Sequence, residues 1–109
     1  MIIVISKKDT KEELKKMAED FGGDYIKVVV DVSRQIIAGG GERHFDAEQI
    51  LLGQGSDQEN LWGGGLDPKT KTIDYNSMIN LRPKQNPSRD ILSEEIREKF
   101  DKIIKDLLL

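Results

Sequence analysis

The chain has 109 residues, of which 37 % are hydrophobic and 34 % charged, with a net charge of −3 and no cysteine. Disulfides, thiolate metal ligands and a cysteine nucleophile are therefore excluded. The acidic balance argues against a surface that grips nucleic acid all round, and no apolar run approaches the roughly 18 residues that span a bilayer.

The first element is a short buried strand, Ile2 to Ile5. Thr10-Lys-Glu-Glu13 then spells a capping box, in which the hydroxyl and the carboxylate satisfy each other's backbone amides. The spacing of Leu14, Met17, Ala18 and Phe21 predicts a helix that ends at Gly22-Gly23. Tyr25 to Asp31 reads as a central strand, with Ile26, Val28 and Val30 on one face. Asp31 to Arg34 turns the chain, and Gln35 to Ala38 returns as the second arm of a β-hairpin.

A short helix follows from Phe45 to Leu52, with Phe45, Gln49 and Leu52 marking one side. Leu61-Trp62 starts a strand that Gly63-Gly64-Gly65 breaks, and Asp67-Pro-Lys-Thr70 makes a turn. Thr72 to Tyr75 and Met78 to Leu81 read as strand. Ser93 caps the last helix, whose stripe of Ile96, Phe100, Ile103, Ile104, Leu107 and Leu108 is the strongest periodic signal in the chain. The order β-α-β-β-α-β-β-α predicts a single α+β domain over residues 1–109. Its sheet is mainly antiparallel, a meander, with the N- and C-terminal helices packed on one face and a short middle helix.

Candidate chemistry gathers in three polar segments. The first holds the only histidine, His44, with Glu42 and Asp46 close enough in sequence to orient an imidazole acting as acid or base. The second runs from Asp57 through Asn60 to Trp62, a loop suited to hydrogen bonding and stacking. The third spans Asn80, Arg82, Lys84 and Arg89, whose guanidinium forks match phosphate or carboxylate oxygens. Glu42, Asp46, Glu48 and Asp57 offer oxygen ligands, but no spacing matches a calcium loop, and no metal is predicted. Neither glycine triplet, Gly39–Gly41 or Gly63–Gly65, carries the Gly-Lys-Ser/Thr ending of a P-loop, and no cofactor is implied.

The runs Val28-Val-Val-Asp31, Ala38-Gly-Gly-Gly-Glu-Arg-His44-Phe-Asp46-Ala-Glu48, Gly55-Ser-Asp-Gln-Glu-Asn-Leu-Trp-Gly63 and Ser77-Met-Ile-Asn-Leu-Arg-Pro83 span most of the chain. Together they resemble a family of small uncharacterised prokaryotic proteins of about this length, a domain of unknown function. The resemblance implies a bacterial or archaeal cytoplasmic protein and supplies no activity, substrate or cofactor.

Three functions are compatible with these residues. The first is a binding module for an anionic ligand, a nucleotide or a protein partner, using Asp57, Asn60, Trp62, Asn80, Arg82 and Arg89. The second is a small hydrolase or phosphotransfer enzyme, with His44 as acid or base, Asp46 or Glu42 orienting it and Arg82 stabilising negative charge. The third is a homodimer or larger assembly that covers the apolar tail Ile103 to Leu109. Binding ranks first, with nucleic acid disfavoured by the net charge and no membrane partner expected.

Overall fold

The computed structural model describes all residues from Met1 to Leu109. Five strands, β1 (Ile3–Ile5), β2 (Ile26–Asp31), β3 (Ile36–Gly39), β4 (Leu61–Asp67) and β5 (Thr72–Asp74), form one sheet in the order β1-β3-β2-β4-β5. Three α-helices join them: α1 (Lys11–Ala18), α2 (His44–Gly53) and α3 (Glu94–Leu108). Every strand pairing is antiparallel. No helix is long and apolar enough to cross a membrane.

The α+β class and the antiparallel sheet agree with the sequence. Hairpins β2–β3 and β4–β5 supply the meander character, but the links between them are not turns. Strand β3 lies between β1 and β2, and β2 lies between β3 and β4. Helix α1 therefore carries the chain from β1 past β3 to β2, and α2 carries it from β3 past β2 to β4.

Period-2 alternation then divides the core in two. Ile5, Ile26, Val28, Val30, Ile37 and Leu66 face Met17 and Ala18 of α1 and Phe100, Ile103, Ile104 and Leu108 of α3. Val29, Ile36, Ala38 and Leu61 face Ala47 and Leu51 of α2. The terminal helices thus share one face of the sheet and α2 takes the other. The apolar stripe of α3 packs against its own sheet.

Both predicted caps form. Thr10 Oγ1 accepts from the Glu13 amide at 3.1 Å while the Glu13 carboxylate accepts from the Thr10 amide at 2.9 Å. Ser93 Oγ accepts from the Ile96 amide at 3.2 Å.

Other elements differ from expectation for definable reasons. Gly63-Gly64-Gly65 does not break β4 but lies inside it. A Cβ on Gly64 would meet Phe100 Cζ at 2.8 Å and also the Asp74 carbonyl oxygen, and a Cβ on Gly65 would overlap the Tyr25 hydroxyl. The missing side chains let an aromatic ring lie on each face of the strand.

Met78 to Leu81 is not a strand; Met78–Asn80 is a single 3-10 turn. Here side chains outcompete the ladder. Ser77 Oγ accepts from the Ile79 amide, and Asn80 turns inward to bond Gly63. In α2 the buried residues are Ala47, Glu48 and Leu51, whereas Phe45 and Gln49 are exposed.

Candidate functional site

A cavity of about 730 Å³ opens on the α2 face of the sheet. Tyr25 and Lys27 come from the start of β2, and Arg43, His44 and Phe45 from the start of α2. Asp74 ends β5, residues 76–79 follow it, and Arg89 closes the rim.

His44 is fixed by the backbone and not by a carboxylate. Its Nε2 lies 2.6 Å from the Gly64 carbonyl oxygen. A carbonyl can only accept, so Nε2 carries the proton, and a neutral ring then leaves Nδ1 as an acceptor. Burial pushes the imidazole below its usual range; the Gly64 bond opposes this, and the Lys27 charge adds to it. The ring is therefore neutral at pH 7, with Nδ1 free of any protein partner.

The depressed pKa makes a signed prediction. The unfolded chain takes up the proton more readily, so stability is full above the unfolded value of about 6.5 and declines as pH falls toward the folded value. Urea midpoints measured from pH 7.5 down to 5.5, above the carboxylate range, should fall for the wild type and fall less for His44→Gln. Parallel profiles would contradict the burial effect.

Neither Glu42 nor Asp46 orients the imidazole. Glu42 is exposed, and the Asp46 carboxylate accepts from Arg43 Nη2 at 2.9 Å and Nε at 3.2 Å. The helix is capped by Arg43 without a side-chain bond, so neither His44 nor Asp46 serves as cap.

Within the cavity, Asp74 is committed. Its Oδ2 accepts from the Tyr25 hydroxyl at 2.6 Å and its Oδ1 from the Asn76 amide at 3.1 Å. Burial and this carboxylate hold the Tyr25 hydroxyl well above the usual phenol range, so it remains a donor. Lys27 and Arg89 form no salt bridge; the chain's ion pairs lie elsewhere. No three of the histidine, aspartate and glutamate side chains converge in an arrangement that could hold a metal.

The other candidates are placed apart from this cavity. Arg82 donates to the carbonyls of Gln58, Glu59 and Leu61, and its guanidinium stacks 3.9 Å from the centroid of the Trp62 ring. Burial lowers its pKa, with Glu48 and Glu59 opposing. It fastens the chain entering β4 and lines no part of the His44 cavity.

Trp62 is buried in the core. Asp57 is exposed at the start of the helical turn that ends in Asn60, beside Arg82. Glu48 is buried and its carboxyl is pushed up by desolvation.

Asn80 is fully buried and structural. Its Oδ1 accepts from the Gly63 amide, and its Nδ2 faces the carbonyls of Gly63, Tyr75 and Arg89 at 2.8–2.9 Å. Of the predicted site residues, the cavity gathers His44 and Arg89 alone.

Lys27 and Asp74 are site residues that sequence reasoning missed. The signal for Lys27 is a lone lysine inside the apolar strand Tyr25-Ile-Lys-Val-Val-Val. Asp74 carries a similar cue, an acid beside Ile73 in a short strand.

Comparison with known proteins gives three results. The chain is 29 % identical over 106 residues to an ATP-dependent helicase/nuclease protein of Bacillus cereus (strain G9842) and 28 % identical to that of Bacillus anthracis, with 91 % of this chain covered in each. The chain spans only 8 % of the length of these curated relatives. No solved structure matches. The family model described as "Protein of unknown function (DUF5674)" matches residues 3–107, and the chain belongs to that family.

Proposed function

We propose that this chain is a binding module whose ligand is a small anion seated in the His44 cavity. The observation that carries the reading is that Lys27 and Arg89 line one concavity with no carboxylate partner. The Lys27 ammonium lies 5.5 Å from the Phe21 ring centroid, and a cation with no carboxylate partner favours an anion from solution. Asp74, the acid on the wall, is held by Tyr25 and Asn76 and makes no ion pair with either cation. Nδ1 of His44 adds one acceptor and Ser77 one hydroxyl, which suits a ligand with donors near its charge.

Phosphate or sulfate titration at low salt, followed by amide chemical shifts, tests this reading. Residues 25–27, 43–45, 74–79 and 89 should respond together. Lys27→Met and Arg89→Gln should each weaken binding about ten- to a hundredfold, since a charge-assisted hydrogen bond contributes about 1.5–3 kcal/mol. Absence of saturable binding, or variants with wild-type affinity, would overturn the proposal.

An acid–base enzyme is the second reading, favoured by the neutral ring of His44 with Nδ1 open to a substrate proton. Lys27 or Arg89, in place of Arg82, would face the developing charge. Turnover of p-nitrophenyl esters and phosphates that His44→Gln abolishes would select it; binding without turnover leaves the module. The similarity to part of a helicase/nuclease brings ATP and DNA into the panel of ligands. With no P-loop ending after either glycine triplet and a net charge of −3, both rank below simple anions.

A further inference from the structure

The cavity that holds the two cations also has an apolar lining. Phe45 is 54 % exposed and Met78 59 % exposed, and both line the same concavity as Lys27, His44 and Arg89. The face of α2 that packs on the sheet is Ala47, Glu48 and Leu51, and Phe45 lies about 200° round the helix from Ala47. The helix therefore turns it to solvent, beside the anchored His44 and along the wall of the same cavity. The Arg43 guanidinium lies 5.9 Å from the Phe45 ring centroid and its charge is shared with Asp46, which biases the ring's outer side. Across the opening, Met78 offers an unbranched thioether, a side chain that adapts to flat apolar partners and packs favourably against aromatic rings. Ile79 extends this surface inward.

A bare inorganic anion would use the cations and leave Phe45 and Met78 wet. A cavity of about 730 Å³ is also several times larger than such an ion requires, and falls within the range of small-molecule sites. Resting on the anion-binding reading, we infer that the ligand is amphipathic: a phosphate or carboxylate held by Lys27 and Arg89, joined to a planar apolar body clasped between Phe45 and Met78. The neutral imidazole fits such a body better than an imidazolium would, since Nδ1 can accept from an N–H or O–H on the ring's edge.

The test compares three probes on the full chain by calorimetry at low salt: inorganic phosphate, glycerol phosphate and phenyl phosphate. Phenyl phosphate should bind about tenfold more tightly than glycerol phosphate, the gain expected from burying one aromatic face. Phe45→Ala, a change at an exposed ring, should erase that preference. Equal affinity for the two esters, or a preference that survives Phe45→Ala, overturns the inference while leaving anion binding intact. Failure of all three probes overturns the anion reading and the inference with it. A circular dichroism spectrum and urea midpoint for Phe45→Ala establish that the variant is folded.

Discussion

Asn80→Ala is expected to cost about 3–5 kcal/mol, the largest effect of any single polar substitution in this chain. The amide is fully buried and bridges the Gly63 N–H and the carbonyls of Gly63, Tyr75 and Arg89. Alanine leaves the Gly63 amide and carbonyl without a partner in a place water does not reach, at about 1–3 kcal/mol each, and takes one of two donors from the Tyr75 and Arg89 carbonyls, which keep the amides of Ile91 and Ser77. Asn80→Asp separates bonding from packing. It keeps the shape but turns the donor into an acceptor facing three carbonyls. Urea denaturation should find it nearly as damaging at pH 7. A mild aspartate beside a severe alanine would mean that volume, and not the amide, holds the segment. Because Asn80 also fixes the Arg89 backbone, the folded fraction of either variant should bind phosphate more weakly than the wild type.

Gly64→Ala comes next, with an expected loss of about 2–3 kcal/mol. The added Cβ would meet Phe100 Cζ at 2.8 Å on the α3 side and the Asp74 backbone oxygen of the neighbouring strand. Phe100 is fully buried and packed against α1 and β2, so it has little room to withdraw. The backbone contact has no rotamer to change. Adding Phe100→Leu relieves the ring but not the carbonyl, so the double variant should recover less than half of the loss attributed to Gly64→Ala. Full recovery would assign the whole constraint to Phe100. The same substitution reaches the site, since the Gly64 carbonyl sets the tautomer of His44.

Much of the scaffold is legible in the sequence because its determinants are local. Thr10 with Glu13, Ser93 with Ile96, and the α3 stripe all act within a few residues. Strand β2 is readable from its branched residues, and β3 from the turn before it. Strand β4 is not, because three glycines carry no propensity for a strand and owe their place to distant side chains, Gly63 to Ser77, Gly64 to Phe100 and Gly65 to Tyr25. Residues 78–81 mislead for the converse reason: their apolar pattern suits a strand, and two polar side chains, Ser77 and Asn80, divert it.

The site shows the same division. His44 is conspicuous as the only histidine, and Arg89 as part of a basic loop. Sequence reasoning pairs the histidine with Asp46 or Glu42 and with Arg82, whereas the structure ties it to a backbone carbonyl of β4 and places Lys27 of β2 in the same cavity. Sequence proximity is a poor guide to an imidazole's partner when a glycine strand brings a bare carbonyl to it.

The wall of the cavity comes from four separate stretches of chain, around residues 25–27, 43–45, 74–79 and 89. No fragment holds more than a part of it, so the unfolded chain has nothing with which to hold a ligand in that arrangement. Whatever binds there binds the native state alone, and its free energy is added to folding. A compound at one hundred times its dissociation constant would then contribute about 2.7 kcal/mol, raising the melting temperature by about 10 °C or more in a domain of this size. Heat, followed by any dye or spectroscopic signal, becomes a general reporter of occupancy, and a library can be screened against this protein before any reaction or partner is known.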